Sequence, residues 1–185
     1  MSQTNETLEA LPAEIGRRFP AATIRELKPD LTRAEFEAGD LVPLLSWLKG
    51  STPWVQLTHL SAVDWIEDDA FELIYLVTAP DLRHTLMVST RIDREAATAD
   101  SVHDLWLQAE TYEQEINEMF GISFPASPRQ GVEFILEGWE DMPPMRRDFD
   151  TLEYTRKTHP ERPGREHTDS RKYVGRTFGE KGYLS

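Results

Sequence analysis

The chain has 185 residues, 39% of them hydrophobic, which is the size of one domain with room for a second small module. It contains no cysteine, and this excludes disulfides, cysteine-held iron–sulfur clusters, thiolate zinc sites and a thiol nucleophile. Its net charge of −13 argues against nucleic acid as a main partner, because phosphate binding needs a positive surface.

The N-terminal residues predict a helix and no targeting segment. MSQTNETLEALPAEIG lacks the basic and apolar regions of a secretory signal. Leu8, Leu11, Ile15 and Phe19 follow helical spacing, which predicts a helix over residues 5–18. Nowhere does the chain approach the roughly 18 consecutive apolar residues of a membrane span, so we expect a soluble, cytosolic protein.

The next elements are a short strand, a second helix and three longer strands. Ala21–Leu27 predicts the short strand, and the second helix runs from a capping Asp40 through four leucines to Gly50 at the C′ position. The three longer strands are predicted at Trp54–Ile66, Phe71–Thr78 and His84–Ile92. Because their connectors are too short for crossover helices, we expect an antiparallel meander with FELIYLV as an interior strand.

Residues 101–121 predict a long helix. Its apolar side chains recur at helical steps: Leu105, Ala109, Tyr112, Ile116 and Phe120. Ser101 and Asp104 resemble a capping box, and Gly121 supplies a left-handed end. A short strand is predicted at Val132–Leu136. Together these elements predict an α+β fold with helices packed on one antiparallel or mixed sheet, occupying residues 1–149.

The last 36 residues, 150–185, differ in character from the rest. They contain few apolar side chains, and residues 146–185 carry 10 Lys and Arg against 7 Asp and Glu, a net of +3 on an otherwise acidic chain. Such a segment cannot form a core of its own, so it is either disordered or docked on another subunit. The spacing of Tyr173, Phe178 and Tyr183 favours an extended, basic docking arm with aromatic anchors.

Three glutamates crowd the stretch EQEINEMFGI, residues 113–122. On a helical wheel at about 100° per residue, Glu113 and Glu115 fall on opposite borders of the apolar stripe, while Gln114 and Glu118 point away from it. Glu113 and Glu115 therefore do not face each other, and a catalytic or metal-binding pair on this helix alone is disfavoured. Border carboxylates are instead suited to ion pairs where the helix packs.

A second dense stretch, GWEDMPPMRRDF, covers residues 138–149. Its two prolines predict an extended path, after which Arg146 and Arg147 stand beside Asp148. Since arginine is the usual bidentate partner of a carboxylate, we expect Arg146 or Arg147 to pair with Glu113 or Glu115. Solvated arginines are the alternative.

No motif for a metal, nucleotide or nucleophile is present in the sequence. His59-x4-Asp64 and Asp100-x-x-His103 approach ligand spacing, but such spacings are common by chance. There is no Walker loop, Gly-x-Gly-x-x-Gly or Gly-x-Ser-x-Gly. A carboxylate enzyme would require Glu113 and Glu115 to meet His59 or His103 in one pocket.

Four stretches in order along the chain resemble the 30 kDa subunit family of NADH:quinone oxidoreductase, respiratory complex I. They are LSAVDW (60–65), SVHDLW (101–106), EQEINEMFGI (113–122) and PMRRDF (144–149). The chain departs from the family pattern in carrying Gln114 for Arg, Asn117 for Tyr, Glu118 for Asp and Ser127 for His. These departures fit equally well the related subunits of energy-converting [NiFe] hydrogenases and of archaeal ferredoxin- or deazaflavin-linked dehydrogenases.

The resemblance implies a subunit of the peripheral arm, on the cytoplasmic side of the membrane, without a cofactor or active site of its own. Fe–S clusters, and in some relatives [NiFe], would lie in its partners, the hydrogenase-like large subunit and the small Fe–S subunit. The motif residues expected at interfaces are Glu113, Glu115, Phe120, Gly121, Pro144, Arg146, Arg147 and Asp148. A soluble adaptor outside respiration is the alternative of another class.

Overall fold

A five-stranded mixed sheet organises the fold. The computed structural model describes residues 2–158. The strands are β1 (Thr23–Lys28), β2 (Leu31–Phe36), β3 (Gln56–Trp65), β4 (Ala70–Ala79) and β5 (His84–Asp93), in the sheet order β1-β2-β5-β4-β3. The pair β2–β5 is parallel and the other neighbouring pairs are antiparallel, so the predicted meander β3-β4-β5 is confirmed.

Helices are α1 (Ser2–Arg18), α2 (Leu41–Ser51), α3 (Ala109–Phe120) and α4 (Thr151–Thr158). The predicted α+β class, with helices on one mixed sheet, is confirmed. No helix within the described range 2–158 is long and apolar enough to cross a membrane.

The core lies on one face of the sheet. Alternate residues of β4 point into it, and Phe71, Leu73, Tyr75 and Val77 are all fully buried. The same cluster includes the leucines of α2 and, from α1, Leu11 and Ile15. The period of two in β4 and the helical spacing of α2 thus bring two apolar surfaces together, and burial of a residue of this size contributes about 1.5–3 kcal/mol.

One strand of the sheet was missing from the sequence prediction. β2 pairs with β1 as a hairpin across Pro29 and Asp30, and with β5 in parallel. Its inward residues are Thr32, Ala34 and Phe36. Because only Phe36 is strongly apolar, the alternation that marks a strand is weak here.

A buried histidine connects β5 to two other segments. His84 Nδ1 accepts a hydrogen bond from Trp54 Nε1 at 3.1 Å, and His84 Nε2 lies 3.1 Å from Thr32 Oγ1. Since Nδ1 accepts, the ring proton of the neutral imidazole is on Nε2, which donates to Thr32. Burial lowers the pKa of His84, against the opposing charges of Asp30 and Glu26.

Carbonyls at the N-terminal end of β3, and just before it, accept hydrogen bonds from side chains of the segment that precedes and begins α3. Trp106 Nε1 donates to the Val55 carbonyl at 2.8 Å, Gln108 Nε2 to Leu57 at 3.0 Å, and Tyr112 OH to Thr58 at 3.1 Å. These bonds hold residues 102–108 in turns, so α3 begins at Ala109 and the helix predicted over 101–121 was too long. Tertiary contacts override the helical periodicity here.

Three further local predictions were wrong. Gly50 does not end α2, because the helix continues to Ser51 and Thr52 follows as its C-cap. Asp40 stands at the N-cap position of α2 but makes no side-chain capping bond. Residues 132–136 form no strand, since their backbone groups bind side chains of α3.

The chain divides after Phe149 into two units, of which the second is described only to residue 158. Asp150 Oδ1 accepts the N–H groups of Leu152 and Glu153 and so caps α4. The start of the predicted extended arm is therefore helical. The expected anchors Tyr173, Phe178 and Tyr183 lie outside the described residues.

Candidate interaction site

Asp64, near the end of β3, is the buried centre of a charged cluster. Its side chain is 2% exposed, and its two oxygens accept hydrogen bonds from Arg94 Nε at 2.8 Å and Arg94 Nη2 at 3.0 Å. The backbone N–H of Arg147 donates a third bond at 2.9 Å. Arg94 Nη2 also binds Asp148 Oδ1 at 2.7 Å, so one arginine joins two carboxylates.

The electrostatics of this cluster favour the charged states of Asp64 and Arg94. Burial alone would raise the pKa of Asp64, but the bonds from Arg94 and the Arg147 backbone, with the charges of Arg94 and Arg146, hold it below its ordinary value. The pKa of Arg94 is raised above its ordinary value, more by its bond to Asp64 than by its bond to Asp148. Asp64 is therefore ionised and hydrogen-bonded, and it serves as a structural anchor.

Arg146 binds the C-terminal end of α3. Its Nε donates to the Phe120 carbonyl at 2.8 Å, one of the carbonyls that the helix leaves unpaired. A cation near a helix C-terminus is also favoured by the helix dipole. The guanidinium lies 5.1 Å from the ring centre of Phe71, and that of Arg94 lies 5.7 Å from the same ring. Cation–π contacts thus link both arginines to the core.

Gly121 permits the close approach of the 143–146 turn to this helix end. It has φ +74°, as predicted for a left-handed helix end, and a Cβ there would lie 3.1 Å from Pro143 Cγ. Pro144 follows as the first central residue of a turn in which Arg146 N–H donates to the Pro143 carbonyl at 3.2 Å. The prolines therefore form a turn, and the extended path predicted from them was wrong.

The outer rim of the cluster is exposed. Arg147 Nη1 pairs with Glu67 at 2.6 Å, and both side chains are more than half exposed. Phe149 packs against Trp139 with ring centres 5.7 Å apart. An exposed pair of this kind contributes little to stability.

The predicted pairing of Arg146 or Arg147 with Glu113 or Glu115 was wrong. Glu113 is buried and accepts hydrogen bonds from Ser101 Oγ and the Val102 N–H, both at 2.8 Å. Glu115 is exposed on the other border of the helix. The wheel thus separated the two glutamates correctly but gave no information on their partners.

Gln114 and Glu118 do not face solvent as the wheel predicted, because residues 129–136 cover the outer side of α3. Gln114 is 3% exposed, and its Nε2 donates to the carbonyls of Val132 and Glu133 at 3.2 and 2.9 Å. Glu118 accepts three backbone N–H groups, those of residues 134, 135 and 136. Side-chain polarity alone could not reveal this second layer.

Asp64 is the residue that sequence reasoning missed. It was considered only as part of LSAVDW and of the chance spacing His59-x4-Asp64. In the structure it binds Arg147 of PMRRDF, and the neighbouring Arg146 binds the end of the EQEINEMFGI helix, so three of the four family-like stretches meet here. The available signal was an aspartate at the inward position of a strand end, where an unpaired carboxylate is costly and so implies a cationic partner.

The residues weighed for metal or acid–base chemistry have other contacts. His59 packs edge-on against Tyr112, and His103 Nδ1 lies 3.9 Å from Glu110. Within residues 2–158 there is no group of three or more His, Asp or Glu side chains placed to hold a metal. Both carboxylate oxygens of Glu113 accept hydrogen bonds, one from Ser101 and one from Val102. The pocket required for a carboxylate enzyme is therefore not formed from these residues.

Several known proteins are similar to this chain. The corresponding subunit of the NADH-quinone oxidoreductase of Moorella thermoacetica is 31% identical over 116 residues, covering 62% of this chain and 77% of that one. The corresponding subunit of the F420H2 dehydrogenase of Methanosarcina mazei is 27% identical over 143 residues, covering 77% and 89%.

Solved structures agree with these sequence relatives. A chain of an archaeal respiratory membrane complex, the membrane-bound sulfane sulfur reductase, superposes with a TM-score of 0.72 at 28% identity, over 82% of this chain and 90% of that one. A trypsin-resistant fragment of Nqo5 shares the fold, with a TM-score of 0.58 at 18% identity, over 66% and 98%.

The family profile described as the respiratory-chain NADH dehydrogenase 30 kDa subunit matches residues 34–155, which include the end of β2, the strands β3 to β5, α3 and the Asp64 cluster. The resemblance inferred from the four sequence stretches is confirmed. This chain belongs to the 30 kDa subunit family of respiratory-chain NADH dehydrogenase, complex I.

Proposed function

We propose that this chain is a structural and assembly subunit, without a cofactor or active site of its own, in the peripheral arm of a complex I-like membrane-associated oxidoreductase. It packs on the hydrogenase-like large subunit beside the small Fe–S subunit, on the cytoplasmic side of the membrane. There it supports electron transfer to quinone coupled to ion translocation. The Fe–S clusters, and [NiFe] where present, belong to those partners.

The observation that carries this proposal is how the Asp64 cluster is used. Its buried charges are satisfied by each other and by backbone groups, as the three bonds to Asp64 illustrate. Such a network holds residues 146 and 147 against the end of α3 and against Asp64, which supports a structural role for these side chains. The family membership supports a role within a multi-subunit complex, since the relatives are named as subunits of such complexes.

A second candidate is the equivalent subunit of a membrane-bound energy-converting hydrogenase or of a ferredoxin- or deazaflavin-linked dehydrogenase. The specific support is the structural likeness to a chain of the archaeal sulfane sulfur reductase, which spans 90% of that chain. The two candidates share the fold and the assembly role and differ in the electron donor and acceptor of the complex. A soluble adaptor outside respiration is the remaining class.

The test is purification of the tagged chain from membranes of its source organism in mild detergent, followed by mass spectrometry. We expect the hydrogenase-like large subunit and the small Fe–S subunit in fixed proportion to this chain. Subunits for NADH oxidation would favour the first candidate, and a hydrogenase or ferredoxin-oxidising module the second. Recovery of the chain alone, or of an active enzyme made of this chain alone, would contradict both.

A further inference from the structure

Exposed apolar side chains concentrate in one loop, residues 132–145. Among the exposed large hydrophobic residues of the described structure, this loop contributes Val132, Phe134, Ile135, Met142 and Met145, exposed by 52%, 39%, 65%, 43% and 57%. Isolated apolar residues are normal on any surface, whereas a concentration within one short segment indicates a binding surface.

The loop is held in a fixed conformation although it has no helix or strand. Glu118 accepts the N–H groups of residues 134, 135 and 136 at 2.7, 2.9 and 3.1 Å, and these donors keep the pKa of its carboxyl low although burial opposes them. Trp139 Nε1 donates to the Met142 carbonyl at 3.1 Å. A surface fixed in advance loses less conformational entropy on binding than a mobile one.

Both apolar parts of the loop are attached to the last turn of α3. Residues 134–136 bind Glu118, while the Met145 N–H donates to the Met119 carbonyl at 3.0 Å. Arg146 binds the next carbonyl, that of Phe120. Consecutive residues of one helix turn therefore hold both the segment of Phe134 and Ile135 and the segment of Met145.

The charges of the loop have one sign. Between residues 132 and 145 the sequence contains Glu133, Glu137, Glu140 and Asp141 and no Lys or Arg. The loop thus combines apolar side chains with an acidic border. Its complement is a surface with an apolar centre and a rim of Lys and Arg, because like charges at that rim would oppose association.

We propose that the 132–145 loop binds the large subunit of the complex, in an apolar groove bordered by Lys and Arg. This inference rests on the proposed function and assigns the contact to one surface of the chain. Phe134, Ile135, Met142 and Met145 enter the groove, and Glu137 and Glu140 meet its basic rim.

The first test replaces the two most exposed of these side chains, Ile135→Ser with Met145→Ser, in the full chain expressed in its source organism. The matched control is Leu107→Ser with Leu27→Ser, two apolar residues exposed by 74% and 41% outside the loop. We expect the loop variant to recover about tenfold less large subunit from detergent-solubilised membranes, and the control to stay within about twofold. Circular dichroism of both purified variants checks that each is folded.

The second test locates the contact directly and does not depend on variant stability. A photoreactive phenylalanine analogue replaces Ile135 in one complex and Leu107 in another. We expect the Ile135 probe to cross-link a peptide of the large subunit that contains apolar and basic residues, and the Leu107 probe not to cross-link it. Charge reversal by Glu137→Lys with Glu140→Lys should lower recovery of the large subunit, unlike Glu9→Lys.

The outcomes separate this inference from the proposed function. If the unmodified chain recovers the large subunit but Ile135 cross-links another subunit, a second copy or nothing, the loop assignment is wrong and the assembly role stands. Recovery of the large subunit at the unmodified level with both loop variants would also contradict the assignment. If the unmodified chain recovers no large subunit, both ideas fall.

Discussion

At the scale of single residues, the ion pair of Asp64 and Arg94 contributes more to stability than an exposed pair such as Arg147 and Glu67. Arg94 has a side chain 14% exposed and two bonds to a carboxylate that is itself 2% exposed. Buried charges of this kind are tolerated because each satisfies the other, and removal of one leaves the other uncompensated.

Asp64→Asn should lower the free energy of unfolding by about 3 kcal/mol, because Arg94 then loses its main counter-charge. Urea unfolding followed by tryptophan fluorescence measures this as a lower midpoint at an unchanged slope. The control is Glu67→Gln, which removes the exposed partner of Arg147 and should leave the midpoint unchanged. Equal shifts in the two variants would show that burial of the Asp64 pair is not what matters.

His84 makes the stability of the fold depend on pH. Its pKa is lowered from the ordinary 6.5 by burial, so the unfolded chain binds more protons than the folded one at pH values between the two pKa values. The His84 contribution is complete above pH 6.5 and is lost as the pH falls below it. Protonation of Nδ1 would also abolish the bond from Trp54.

We therefore expect the urea concentration at the unfolding midpoint to decrease as the pH is lowered from about 6.5 to about 5, before the carboxylates titrate. His84→Gln should remove most of this slope, whereas His59→Gln, at an exposed position, should keep it. A slope that persists in His84→Gln would assign the effect to another group.

At the scale of elements, the backbone conformation at the end of α3 determines whether the 143–146 turn can pack against this helix. Gly121 occupies the left-handed region and leaves space for Pro143, whereas Gly50 lies inside α2, where an added Cβ would meet no atom within 4 Å. The same substitution thus has opposite physical consequences at the two glycines.

Gly121→Ala should destabilise the protein by roughly 1–2 kcal/mol, since a left-handed alanine is strained and its Cβ crowds Pro143. Gly50→Ala should stabilise it by about 0.5–1 kcal/mol, because alanine loses less backbone entropy in a helix. Thermal unfolding of the two variants measures both signs. Destabilisation by Gly50→Ala would indicate that α2 does not extend past residue 50.

The elements also show what a single sequence can predict. β4 was predicted because Phe71 to Val77 is apolar at nearly every position. The left-handed helix end at Gly121 was predicted because a glycine directly after a helical pattern commonly ends the helix in this conformation. The start of α3 was not predicted correctly. Glu113 binds the Val102 N–H, and a helical pattern in the sequence does not reveal such a bond. Asp64 and Arg147 lie 83 positions apart, so their contact could not be inferred from local spacing.

At the scale of the whole molecule, residues 1–149 and 150–185 form separate units with different charge. The first contains the Asp64 cluster and the 132–145 loop. The second begins with α4, and its proposed role as a docking arm depends on aromatic residues beyond the described range.

Replacement of Tyr173, Phe178 and Tyr183 together by Ser should reduce recovery of the large subunit from detergent-solubilised membranes, because aromatic anchors dominate the energy of many interfaces. The matched control replaces three polar residues of the same segment, Thr168, Ser170 and Thr177, by Ala. Equal recovery with the two triple variants would contradict the docking-arm prediction.

The partly covered edge of β3 bears on the behaviour of the free chain. An uncovered edge strand can recruit another strand and start aggregation, and here Trp106, Gln108 and Tyr112 occupy carbonyls along that edge. The opposite edge, β1, carries Arg25, Glu26 and Lys28, charges that discourage the same event. Both edges of the sheet therefore have features that disfavour pairing with a strand of another molecule.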